Sequence, residues 1–249
     1  MLFRSMIHRP EAANSINLPL AKELLEASFA CENTAVRAVI LTGIGKVFST
    51  GGDLREFHEQ GPRLPAHLRE TTVYLHAALS RLARLRAPVI AAVNGVAAGA
   101  GMSLACACDL VIAAESARFT LAYTRVGLSP DGSGTWFLPR IVGHRRALEL
   151  ALTNRVLNAA EAQEWGLVTR VVADHQLEDE TLALAAALAD GPTAAYGATK
   201  RLFHESWTTS LESQMNLETE SIVRLGETHD GREGMLAFLE KRAAEFRGI

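Results

Sequence analysis

Two glycine-rich turns are where this chain could hold backbone N–H groups against a ligand. The first, Phe48-Ser49-Thr50-Gly51-Gly52-Asp53-Leu54, has consecutive glycines, which admit positive φ and let a ligand approach the main chain closely. The second, Asn94-Gly95-Val96-Ala97-Ala98-Gly99-Ala100-Gly101-Met102-Ser103, follows an apolar run and opens a helical pattern. Free N–H groups and the positive end of a helix dipole would face whatever sits there. Two such donors meeting at one oxygen make an oxyanion hole, each contributing about 3–4 kcal/mol to a transition state. Read alone, Gly-Gly-Asp is a tight turn, and linear spacing does not show that two turns meet. A third segment, Gly127-Leu128-Ser129-Pro130-Asp131-Gly132-Ser133-Gly134, carries an isolated carboxylate. By itself Ser-Pro-Asp-Gly is a β-turn, since Pro and Asp-Gly favour one. A dinucleotide site competes for such turns, but no G-x-G-x-x-G stands at the first strand-to-helix turn.

The elements around these turns can be read from hydrophobic period. Val36–Thr42, Pro88–Asn94, Asp109–Ala114 and Leu167–Val172 read as strands, and their nearly continuous apolar character predicts sheets covered on both faces. Between them Leu18–Ala30 reads as a helix with Pro19 in its first turn, where the missing N–H costs nothing. Pro65–Arg86 is a long amphipathic helix with Leu75, Leu79, Leu82 and Leu85 on one stripe, and Gly99–Cys108 is a small, wholly apolar one. From Leu177 onward the strand signals stop, and Leu177–Asp190, Pro192–Trp207, Ser210–Gly226 and Gly231–Phe246 read as four successive helices. The class is α/β, one domain over 1–249, with a core to about residue 190 and a helical region over about 191–249.

Composition narrows the function. The net charge is −3 with Lys and Arg scattered along the chain, so the basic stripe of a nucleic-acid binder is missing. No stretch reaches ~18 uninterrupted apolar residues, so no membrane helix is expected. Met1–Pro10 has no apolar core followed by a small-residue cleavage site, and the three cysteines cannot all pair within the chain. Cys31, Cys106 and Cys108 read as small buried apolar residues, and a reducing cytoplasm is the expected location. His8, His58, His67, His144, His175, His204 and His229 share no metal-ligand spacing, so no metal is expected.

Together with Arg9-Pro10-Glu11-Ala12-Ala13-Asn14-Ser15, Val36–Gly43 and Ala159-Ala160-Glu161-Ala162-Gln163-Glu164-Trp165-Gly166-Leu167-Val168, the glycine turns resemble the crotonase family (enoyl-CoA hydratase/isomerase), from about His8 to the C-terminus. The resemblance implies a crotonase-like spiral of ββα units with a helical C-terminal trimerisation region. It implies acyl-CoA thioester substrates, a homotrimer or dimer of trimers, and no cofactor beyond the coenzyme A of the substrate. By that match Gly52 and Ala100 are the oxyanion-hole donors, and coenzyme A lies along Gly51, Gly52, Asp53 and Leu54. The family has Ala and then Gly at the two donor positions; both exchanges keep the N–H. Asp53 also suits the cap of a following helix. Phe238 and Lys241 match positions that contact coenzyme A. The family begins with a strand ahead of Arg9-Pro10, and the few residues available here predict a shortened or altered one.

The resemblance also bears on the reaction. Hydratases of the family use two glutamates, and at those positions this chain has Ser103 and Tyr123, neither of them a carboxylate base. Asp131 stands where double-bond isomerases of the family carry Asp or Glu, so it is the expected acid/base, with Ser103, Tyr123, Trp136, Phe137 and Leu138 as candidate pocket residues. One carboxylate suffices for an allylic shift, and an apolar surround would strengthen it as a base. A rival match is the nucleophilic Asp of 4-chlorobenzoyl-CoA dehalogenase, which also has a His base. His76 fits by order along the chain, yet within a long amphipathic helix it reads as a surface or packing residue. A catalytically idle acyl-CoA-binding or RNA-binding homologue is the third reading, with no lysine-rich helix to support RNA. Arg125 and Arg140 are expected to be structural or intersubunit.

Overall fold

The β-branched runs become strands that alternate between two sheets. A computed structural model describes all residues, Met1–Ile249. Its strands are Leu2–Ile7 (β1), Ala38–Gly43 (β2), Val47–Ser49 (β3), Val89–Val93 (β4), Val96–Ala98 (β5), Leu110–Ala114 (β6), Arg118–Thr120 (β7), Leu157–Asn158 (β8) and Arg170–Val172 (β9). One sheet is parallel throughout, in the order β1-β2-β4-β6-β9; the other runs β3-β5-β7-β8, antiparallel only at its last pair. Each of the pairs β2–β3, β4–β5 and β6–β7 gives its first strand to the large sheet and its second to the small one. That repeat is the spiral of ββα units.

Helices fill the connections: Leu18–Cys31 (α1), Leu54–Glu59 (α2), Leu64–Arg84 (α3), Ala100–Cys106 (α4), Gly134–Val142 (α5), His144–Thr153 (α6), Ala159–Glu164 (α7) and Leu177–Ala189 (α8). Then come Thr193–Glu205 (α9), Leu211–Gly226 (α10) and His229–Glu240 (α11). Local chemistry sets their starts. Asn17 caps α1 by accepting the Leu20 N–H at 3.0 Å, and Asn158 with Glu161 closes a reciprocal capping box on α7.

The large sheet is covered on both faces, and period-2 alternation assigns each residue to a face. Ile40, Ile90 and Ile112 point toward Leu177 and Ala185 of α8, whereas Val39, Leu41, Val89, Ala91 and Val111 join the main core with α1, α3 and the small sheet. Each such aliphatic side chain taken fully out of water contributes about 1.5–3 kcal/mol.

Two expectations need correction. Short as the segment ahead of Arg9 is, it forms a regular first strand: β1 runs six residues and pairs Leu2 with Ala38 through Ile7 with Gly43. It is an edge strand whose exposure alternates, so it carries no apolar run. The last helix stops at Glu240, short of Phe246, where Lys241 turns left-handed at φ 55°. The tail beyond it is held by Asp230, which accepts the Arg247 and Gly248 N–H groups at 2.7 and 2.6 Å.

Candidate active site

The Arg9–Ser15 segment is the clamp that shapes the first glycine turn. Asn14, left-handed at φ 53°, donates its side-chain amide to Ile44 O and Val47 O at 2.9 and 2.6 Å. Thr50 N donates to Ala13 O, Ile16 N to Gly51 O at 2.7 Å, and Asp53 N to Ile16 O. Arg9 reaches the Ser15 carbonyl at 2.6 Å and Asp53 Oδ2 at 3.1 Å. Asp53 also accepts the Glu56 N–H at 3.2 Å and so caps α2. Burial pushes the Asp53 carboxyl up, but the Glu56 N–H and the Arg9 guanidinium outweigh it and hold the carboxyl below its ordinary range. This aspartate orders the turn and is committed as an acceptor.

The two glycine turns lie against each other. Gly51 has φ 87°, and a Cβ added there would sit 2.9 Å from Ala100 N and 2.8 Å from Ala98 O. Gly101 is as tightly placed, since a Cβ on it would fall 2.3 Å from Ser49 O. Gly99 turns the chain at φ 53°, so Ala100 is the first residue of α4. Neither the Gly52 nor the Ala100 N–H finds an acceptor in the turns, caps and side chains around it. Two free amides on adjoining turns are what an oxyanion needs. Gly52 differs from an alanine in one concrete way: a Cβ there would meet the Phe57 ring at 2.7 Å.

Asp131 sits in a strained turn just ahead of α5. Gly132 and Ser133 are both left-handed, at φ 58° and 63°, and Gly134 N closes the turn on Asp131 O at 3.0 Å. Tyr123, on a single helical turn over Tyr123–Val126, donates its hydroxyl to Asp131 Oδ1 at 2.5 Å. Burial, and then the charge of Asp131, pushes the Tyr123 phenol far above its ordinary value, so it stays a protonated donor. The second oxygen, Oδ2, is left toward His76, whose Nε2 is 3.9 Å away. The Asp131 side chain is 30% exposed, open to a ligand but not lying on the surface.

Ser103 lies beneath this turn, fully buried, with Oγ 3.4 Å from Tyr123 Oη. A Cβ on Gly134 would come within 2.5 Å of Ser103 Oγ, and one on Gly132 within 3.2 Å of its Cβ. The turn approaches α4 this closely because position 103 is small. A glutamate there would have to displace it.

The structure thus brings together Gly51, Gly52, Asp53, Ala100, Ser103, Tyr123 and Asp131. Leu54 opens α2 beside them, 51% exposed. Trp136 and Phe137 lie one turn along α5 and line a neighbouring groove, whereas Leu138 is core at 1% exposure and no pocket residue. Phe238 and Lys241 stand apart: α11 packs on α10, and neither side chain bonds to a site residue. Arg140 lies over the Trp136 ring, 3.7 Å from its centre.

The main correction is His76. Its Nε2 accepts the Gly132 N–H at 3.1 Å, so the ring holds the turn that carries Asp131. Helical period could not separate it from a surface residue, because α3 leaves it half-exposed; only the distant Asp131 turn gives it a partner. Trp207 likewise gains its role only from distant partners, Trp136 and Phe137. The buried thiols behave as expected, with Cys31 and Cys106 pushed up by burial to about 11 and about 12. No cluster of His, Cys, Asp or Glu is placed to hold a metal, and no helix is long and apolar enough to cross a membrane.

With this geometry in view the chain can be placed. The enoyl-CoA hydratase/isomerase family profile matches residues 4–248. A probable enoyl-CoA hydratase of Rhodobacter capsulatus is 44% identical, over 97% of this chain and 93% of its own. The 1,2-epoxyphenylacetyl-CoA isomerase of Escherichia coli is 42% identical, again over 97% and 93%. A crystal structure of an enoyl-CoA hydratase from a Polaromonas species superposes with a TM-score of 0.95 at 35% identity, covering 99% of this chain and 96% of that one. The chain belongs to the enoyl-CoA hydratase/isomerase, or crotonase, family and has its fold.

Proposed function

We propose that this protein is an acyl-CoA isomerase that moves a double bond, or rearranges a ring acyl group, through a thioester enolate. The observation that carries the reading is the solitary carboxylate: Asp131 has one oxygen fixed by Tyr123 and one left free, with Ser103 beneath it where a second acid would have to stand. Asp131 Oδ2 takes a proton from the carbon next to the thioester carbonyl. The electron pair moves onto the carbonyl oxygen, which the Gly52 and Ala100 N–H groups receive. The same proton returns to the far carbon of the allyl unit, and the double bond has shifted with no water consumed. A single acid/base step of this type contributes about 10²–10⁴-fold. Coenzyme A is the activating group, and the exposed apolar side chains Phe203, Leu211, Ile222 and Leu239 on the C-terminal region support assembly into a trimer.

His76 favours a second reading, in which Asp131 is a nucleophile. A carboxylate oxygen that displaces chloride from an aryl carbon to form an ester, or the thiolate from the acyl carbon to form an anhydride, needs a base to deliver water afterwards. His76 Nε2 stands 3.9 Å from Asp131 Oδ2 and would have to release the Gly132 N–H to serve.

The test is turnover of 3-enoyl-CoA, 2-enoyl-CoA and 4-chlorobenzoyl-CoA in parallel, in deuterated buffer, by wild type and Asp131→Asn. Formation of 2-enoyl-CoA from the 3-enoyl substrate, lost in the variant, is expected. Chloride release would make Asp131 the nucleophile. Rapid hydration of 2-enoyl-CoA would overturn both readings.

A further inference from the structure

A groove of about 1140 Å³ runs beside the Asp131 turn, between α3, α5 and the α9–α10 pair. It adjoins the site at the residues that hold that turn. His76 and Ser133 line it, and so does Leu79, whose Cδ1 lies 3.5 Å from where a Gly132 Cβ would be. Its other wall is built from rings: Trp136 and Phe137 of α5, His204 of α9 and Trp207 just beyond.

These four rings form one stack-and-edge cluster. Trp136 and Trp207 have centroids 5.8 Å apart, Phe137 and Trp207 6.0 Å, His204 and Trp207 5.1 Å, and Phe137 and His204 5.9 Å, at interplanar angles from 34° to 72°. Such tilted and edge-on pairs match the aromatic quadrupole, and a further ring joins them on the same terms. Trp136 and Trp207 remain 42% and 37% exposed, so the cluster is not closed on itself. Burial lowers the affinity of His204 for a proton, which leaves a neutral ring in the wall. Arg84, Arg86, Arg201 and Arg224 stand around the groove against one acid, Glu205, so a cationic substituent would be repelled.

We propose that this groove is the acyl subsite and that its ring wall selects thioesters whose acyl part is a planar six-membered ring, neutral or anionic. The proposal rests on the acyl-CoA reading above and adds the substrate class to it. A saturated chain in the groove gains burial alone. A ring gains burial and edge or face contacts with at least two of the wall's rings, enough for roughly tenfold in affinity.

The experiment is a binding titration of the full-length protein with phenylacetyl-CoA and hexanoyl-CoA, so that the shared coenzyme A part cancels. Two of the three tryptophans, Trp136 and Trp207, line the groove, and their fluorescence reports its occupation. Phenylacetyl-CoA is expected to bind about tenfold more tightly. Trp207→Ala should bring the ratio of the two affinities toward one, and Trp207→Phe should preserve it, with melting temperature and assembly state checked for each. Should Trp207→Ala fail to fold, Trp136→Ala makes the same cut at a more exposed ring. Equal affinities in the wild type, or an equal loss for both ligands in a folded variant, overturns the ring subsite while leaving the acyl-CoA reading in place. Failure of folded wild type to bind either thioester overturns both.

Discussion

Tyr123 Oη donates to Asp131 Oδ1 at 2.5 Å, across eight residues and a strained turn, and this one bond decides which carboxylate oxygen is free to react. The phenol is kept protonated by burial and by the carboxylate itself. Removing the hydroxyl takes a charge-assisted bond from a group that must be positioned to within fractions of an ångström. Such bonds are worth about 1.5–3 kcal/mol, which corresponds to roughly 10–100-fold in rate. Tyr123→Phe should therefore lose 10–100-fold in kcat with a smaller change in KM. A variant within twofold of wild type would show that the bond does not orient the acid.

His76 offers a sharper separation of the two readings. Accepting the Gly132 N–H at 3.1 Å needs a lone pair on Nε2, which places the ring's N–H on Nδ1. Nitrogen shifts of a His76-labelled sample should report that tautomer. His76→Gln retains an acceptor on a side chain of similar reach. If Asp131 only shuttles a proton, the variant should keep activity to within about tenfold. If Asp131 is a nucleophile, the variant should stall after the first step and accumulate an Asp131 ester, visible as a mass increase on the intact protein.

The contrast between His76 and the glycine turns shows what a sequence can carry. The strands β2, β4 and β6 were legible because their residues are buried on both faces, so that apolar character runs unbroken along them. The strands β3, β5 and β7 were not, because three residues are too few to show a period. The turn at Gly51-Gly52 could be recognised, but its contact with Gly99–Ala100 depends on a pairing between β3 and β5 that no local signal encodes. Asp131 was picked out through family resemblance, since Ser-Pro-Asp-Gly alone is a turn. The partner of His76 lies 56 residues away, and the groove wall unites residues from α5 and α9.

Gly52 and Phe57 form a matched pair. The Phe57 ring occupies the space a Cβ at 52 would need, with a closest approach of 2.7 Å, and leans edge-on against His67 at 6.0 Å. Gly52→Ala must push the ring aside and disturb the turn that carries the first oxyanion donor. Overpacking of this kind costs about 1–3 kcal/mol, and displacement of one donor costs a rate factor of about 10²–10³ at most. Replacing Phe57 by Leu in the same chain should recover most of the activity. Gly101→Ala is the control: its Cβ would meet the Ser49 carbonyl at 2.3 Å, a backbone atom that no second substitution can remove. That variant should melt well below wild type, and the Phe57→Leu change should not rescue it.

Part of the acid stability follows from two carboxyls that are spoken for. At Asp53 and Asp230 burial raises the carboxyl, but hydrogen bonds from Glu56 N–H and Arg9 in one case, and from Arg247 N–H, His229 and Gly248 N–H in the other, bring both below their ordinary value. An unfolded aspartate takes up its proton near about 3.9. Below that pH the unfolded chain binds protons that the folded chain still refuses, so the stabilisation is complete above the unfolded value, declines as pH drops below it, and is gone once pH has fallen through the depressed folded values. The melting temperature should be flat from about pH 5 to 7 and decline below about pH 4, by roughly 2–4 °C for each kcal/mol lost. Asp230→Asn removes one of the two carboxyls, and with it the tether of the C-terminal tail. It should lower the melting temperature at pH 7 and make the decline below pH 4 shallower; a parallel downward shift at every pH would assign the acid sensitivity to other groups.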